Sequence, residues 1–280
     1  MSGNVLAVLF ALASALTIAW GTVVRHRIAE EAPQSGSGAI LTAMRRPLWW
    51  AGMSTAIIAY GLQVVALGFG PLLIVQPIMV MSLMFTLPLS ARYDGRPITF
   101  DEMFWASILT VSVSVLVLLG RPAPGIDHPP LQRWVLPIAI GWGILFAMDR
   151  FAQRQLRRER ALILGLVTGA MFGYVGVFSK AVADIFVLYG PLGLLTNWET
   201  YALLISATLG TVVQQSSFNA GALKNSLPAM KTGEPIVAFA LGYIVLGEKF
   251  QATNLEWLWM ALALAAMIVS TFALSRRSIG

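Results

Sequence analysis

The chain has no cysteine among its 280 residues, which removes disulfides, thiolate chemistry and cysteine-based metal sites from consideration. Histidine is almost as scarce. The two present, His26 and His128, lie between apolar stretches and at no metal-ligand spacing. A phosphate-cradling Gly-Lys-Ser/Thr loop is also missing, so ATP hydrolysis by the chain itself is not expected. No enzymatic signature, metal centre or cofactor is expected on these grounds. Charged residues make up only 11% and hydrophobic ones 57%, against about 25% and about 45–50% in an average soluble domain.

The apolar residues fall into stretches long enough to cross a bilayer, which takes roughly 20 residues of helix. Nine such spans are predicted: Val5–Val24, Leu48–Leu67, Pro71–Ala91, Met103–Gly120, Trp134–Ala152, Ala161–Val182, Tyr201–Gly221, Asn225–Leu246 and Leu255–Leu274. No segment between them is long enough for a soluble domain, so residues 1–280 read as one all-α polytopic bundle. The first span is expected to be retained, not cleaved: no basic residue precedes it, and Arg25 and Arg27 follow it.

Lysine and arginine concentrate in alternate joints. Fourteen belong to one face, among them Arg45, Arg46, Arg92, Arg96 and the run Arg150, Arg154, Arg157, Arg158 and Arg160, whereas Arg121, Arg133 and Lys249 are the three on the other. Basic residues stay in the cytoplasm, which predicts a multi-pass cell-membrane protein with its N-terminus outside and its C-terminus inside. The net charge of +6 and pI near 10 follow from these joints and meet anionic lipid head groups. Nucleic acid is not an expected partner, because the basic run lacks interleaved aromatics.

A shift of about 151 residues aligns Gln63, Gly70, Leu72 and Pro77 with Gln214, Gly221, Leu223 and Pro228; Gly95 then falls opposite Gly247. The small-residue stripes Ala7, Ala11, Ala15, Ala19 and Gly165, Gly169, Gly173 also correspond, and read as helix-packing faces. Two four-helix units (1–120 and 161–280) joined by a linking helix (134–152) are therefore predicted. Five crossings separate equivalent helices, so the second unit is inverted, a construction that recurs in transporters with a midplane site. A duplicated scaffold serving a non-transporting membrane enzyme or envelope-assembly factor is the alternative.

The segments Arg46-Pro47-Leu48-Trp49-Trp50-Ala51-Gly52-Met53, Ala66-Leu67 and Gly70-Pro71-Leu72-Leu73-Ile74-Val75-Gln76-Pro77 resemble the second and third helices of NIPA-type proteins, in the NIPA-like/EamA-like branch of the drug/metabolite transporter superfamily. Leu246-Gly247-Glu248-Lys249-Phe250 is similar to the Gly-Glu turn that closes a helix in many members. The resemblance implies an inverted-repeat secondary transporter working by alternating access, and raises magnesium as an alternative substrate. The first half departs from the pattern with Tyr93-Asp94-Gly95.

Ionisable residues at membrane depth are functional candidates by default. Lys231 and Glu234, three apart on one helix face and flanked by Pro228 and Pro235, are the expected centre of a substrate site; the prolines are expected to kink or break the helix. Gln63, Gln76, Gln214, Gln215 and Asn219 supply amides that donate and accept together, and Trp20 and Tyr60 are expected pocket walls. Lys180 is expected to snorkel to the membrane edge and to pair with Asp184 as a structural or gating pair. Trp49, Trp50, Trp134, Trp198 and Trp257 read as interface anchors. One deep acid beside a lysine suits a hydrated dication poorly, so a small polar organic solute, zwitterionic or anionic, ranks above magnesium. The oligomeric expectation is a monomer or homodimer.

Overall fold

Residues 2–30, 47–93, 95, 97–220, 223–253 and 255–277 are described by a computed structural model. Among them the protein is all-helical, apart from one antiparallel bridge between Ala123 and Lys249. The helices are α1 (Ser2–Glu30), α2 (Pro47–Phe69), α3 (Leu72–Val80), α4 (Ser82–Tyr93) and α5 (Phe100–Gly120), then α6 (Leu131–Ala152), α7 (Arg157–Thr196), α8 (Trp198–Ala220), α9 (Leu223–Leu241) and α10 (Leu255–Arg277). A π-helical turn, Gly242–Leu246, extends α9.

Among the described residues, seven stretches are long and apolar enough to cross a membrane: Gly3–Val24, Leu72–Arg92, Phe100–Gly120, Leu131–Ala152, Glu159–Thr196, Ser226–Leu246 and Leu255–Ser275. The protein is a helical membrane protein. Two of the nine predicted spans stand apart from these seven. α2 is helical over Pro47–Phe69, with Ser54–Phe69 its apolar part among the described side chains, while α8 is helical throughout but carries Glu199, Thr208, Thr211, Gln214 and Gln215.

Local sequence accounts for several helix boundaries. The chain turns between α2 and α3 at Gly70–Pro71, and Pro71 in extended conformation starts α3. Thr99 and Glu102 form a capping box at the start of α5. Thr253 and Glu256 repeat its glutamate half before α10: in both motifs the glutamate Oε2 accepts from the threonine N–H and hydroxyl. Gly95 and Gly247 both have left-handed backbones, with φ of 65° and 69°, a conformation glycine adopts without penalty. Within α7 the direction changes at Gly190 (φ 68°, ψ −166°), which Pro191 follows.

Packing is organised around α1 and α7. α1 lies against α2, α3 and α4; α7 lies against α8 and α9; α5 pairs with α10, and α3 meets α9. The α1 stripe Ala7, Ala11, Ala15 and Ala19 is fully buried. α6 packs chiefly on α7 and the π turn. Trp134 of α6 is buried, not an interface anchor: it stacks on Phe178 at 4.9 Å and meets Trp198 edge-on at 5.3 Å. Filling the groove beside α7 gains more from so large a ring than a membrane-surface position would.

Candidate functional site

The α7 glycines place α9. A Cβ on Gly165 or Gly169 would strike α9 backbone at Ser226 or Met230, and one on Gly173 would press on the Val237 side chain, so glycine permits this approach. The ladder is an intramolecular packing face. Pressed against it, α9 runs unbroken from Leu223 to Leu241 through Pro228 and Pro235, contrary to the kink expected there. Close packing by neighbours lets a membrane helix carry proline without breaking. The irregular backbone begins later, at Gly242.

On this helix Lys231 and Glu234 are half-buried, and among the described residues no ion pair joins them. α9 contacts α3, α7, α8 and α10, and the two charged side chains on it keep partial access. Gln214 of α8 reaches the same level, with its Nε2 3.3 Å from Met230 Sδ. Gln63 is half-buried on α2, and no hydrogen bond joins it to Gln214 among the described residues. The side chains of Gln215 and Asn219 lie outside the described ones. Trp20 stands more than half exposed on α1.

A second polar cluster lies at the other end of α7. Lys180 Nζ is 2.6 Å from Asp184 Oδ1 and donates to the Leu67 carbonyl at 2.9 Å. The expected pair is present, but Lys180 is buried and does not snorkel; the carbonyl at the end of α2 satisfies it within the protein. Nearby, the Tyr60 hydroxyl is hydrogen-bonded to Ser179 Oγ at 2.8 Å, joining α2 to α7. Gln76 of α3 is buried, packs on Gly176, and has no partner for its Nε2 among the described residues.

Glu248 is the residue that sequence reasoning passed over. It is completely buried, and its two carboxylate oxygens accept from Leu72 N at 2.7 Å and Leu73 N at 2.9 Å, capping the start of α3. The left-handed Gly247 and a bond from Glu248 N to Gly242 O aim the side chain inward. Burial pushes its carboxyl up to about 7, opposed by the two backbone donors and by Lys180. The signal was visible as the Gly-Glu turn, which marked a helix end but not a partner 175 residues away.

An uncharacterized protein of Corynebacterium glutamicum, Cgl0250/cg0304, is 60% identical over 281 residues, spanning 99% of this chain and 97% of that one. The chain belongs to its family. No protein-family model matches the sequence, and no solved structure does. Membership carries no activity with it, so the chemistry rests on the two polar groups described. Lys231, Glu234 and Gln214 offer a cation, an anion and an amide at partly accessible positions, able to meet a solute bearing both charges. Lys180, Asp184 and Glu248 are occupied within the protein.

Proposed function

We propose that the protein is a secondary transporter of the drug/metabolite type, moving a small polar organic solute across the cell membrane by alternating access. In this reading nine spans form two inverted four-helix repeats around α6, with the N-terminus outside and the C-terminus cytoplasmic. The observation that carries it is the matched local geometry of the two halves. Gly95 and Gly247 share a left-handed turn, and each is followed by a threonine and glutamate locked together at a helix start. Packing agrees: α1 with α2 corresponds to α7 with α8, and the equivalent helices α5 and α10 pair with each other, as expected about a twofold axis.

Lys231, Glu234 and Gln214 are the core of the substrate site in this reading, with Lys231 receiving an anionic group and Glu234 a cationic group or a coupling proton. Lys231, three residues from Glu234 on the same helix, favours an organic zwitterion or anion over magnesium. The test is uptake into liposomes containing the purified protein, screened across metabolites and magnesium with and without a proton gradient. Saturable uptake of an organic solute is expected. Magnesium uptake alone would overturn the substrate class; no movement of any solute would favour a membrane enzyme or assembly factor.

A further inference from the structure

The corner between α2 and α3 is gripped at both helix ends by charges from the other half of the chain. On one side the Leu67 carbonyl receives Lys180 Nζ; on the other, the Leu72 and Leu73 amides donate to Glu248. Helix ends carry partial charges, negative at the carbonyl end and positive at the amide end. Each is therefore met by a side chain of the opposite sign. The grip is dry, since Lys180, Asp184 and Glu248 are 8%, 7% and 0% exposed. The turn that carries Glu248 is also tied to the loop before α6, because Ile126 N donates to Leu246 O and Ala123 N to Lys249 O.

We infer that Lys180 and Glu248 form an outer latch, which closes the solute path by holding the Gly70–Pro71 corner of the first half against α7 and the Gly247 turn of the second. The inference rests on the transporter reading and names the contact that must release for the path to open outward. Lys180 is suited to release: its counter-ion Asp184 sits four residues on along the same helix, so leaving Leu67 strands no charge. Glu248 holds only backbone amides, which water replaces on opening. A permanent apolar seam would need neither charge.

The cysteine-free chain allows a direct test. A single Ala66→Cys thiol, at a fully buried position beside Leu67, is labelled in membranes with a charged maleimide. The parent is compared with Glu248→Ala and Lys180→Met, each checked for monodisperse elution in detergent. Labelling is expected to accelerate by about tenfold or more in both, the scale of losing buried hydrogen bonds to charged groups. Unchanged labelling in variants that elute as folded protein would overturn the latch. Should Glu248→Ala fail to fold, Glu248→Gln, which keeps one acceptor, and Lys180→Met carry the same comparison. Uptake on the same preparations separates the two readings: faster labelling without any solute movement in the parent sinks transport and leaves the latch, whereas uptake with labelling unmoved sinks the latch alone.

Discussion

At the scale of single residues, Lys231 and Glu234 differ from a dry ion pair in a way that measurement detects. Breaking a fully buried pair costs about 3–5 kcal/mol. These two are half-buried, with no ion pair between them among the described residues, so each neutralisation should leave folding nearly intact. At matched protein levels, Glu234→Gln and Lys231→Met are each expected to lower uptake by about tenfold or more, and the double variant is not expected to restore it. Near-normal uptake in Glu234→Gln would reject the site. Glu248 makes a separate prediction. Its carboxyl lies at about 7 when folded against an ordinary 4.5, so the folded chain holds this proton more tightly than the unfolded chain. The linked stability is complete below 4.5 and is lost as the pH rises through about 7. The melting temperature in detergent should fall across that window, and Glu248→Gln should flatten the slope.

At the scale of helices, the glycine ladder of α7 sets how close α9 lies. Gly169→Leu would force the two backbones apart; overpacking of this kind typically costs about 1–3 kcal/mol. A lowered thermal midpoint is expected, with a smaller drop for Leu166→Ala on the exposed side of the same helix. Most of the spans were legible from the sequence as apolar runs, and the Gly247 turn as a helix end, although α7 runs on to Thr196 past the predicted Val182 and Pro71–Ala91 divides into α3 and α4. The proline rule misled at Pro228 and Pro235: it describes an isolated helix, and α9 is braced by its neighbours. Lys180–Asp184 was legible as a pair because spacing within a helix is local. The bonds from Lys180 to Leu67 and from Glu248 to Leu72 were not, since they span 113 and 176 residues and no local pattern encodes them. Trp134 was misplaced for a related reason: a tryptophan near a span end looks the same in sequence whether lipid or a groove beside Phe178 receives it.

At the scale of the whole molecule, the concentration of lysine and arginine in alternate joints predicts which end faces outward. With single cysteines replacing Ser2 and Ser278, an impermeant thiol reagent applied to intact cells is expected to label the first and spare the second. The reverse pattern would sink the orientation. One feature of α7 bears on how the bundle fits its membrane. From Ala161 to Tyr189 the helix runs about 43 Å at about 1.5 Å per residue, while the hydrocarbon layer is about 30 Å thick. The bend at Gly190 stops this column from lengthening further and turns Leu192 and Leu195 aside with their side chains exposed. Hydrophobic mismatch is then met by leaning the column, and in a thicker bilayer α7 stands more upright, drawing α9 with it along the glycine ladder.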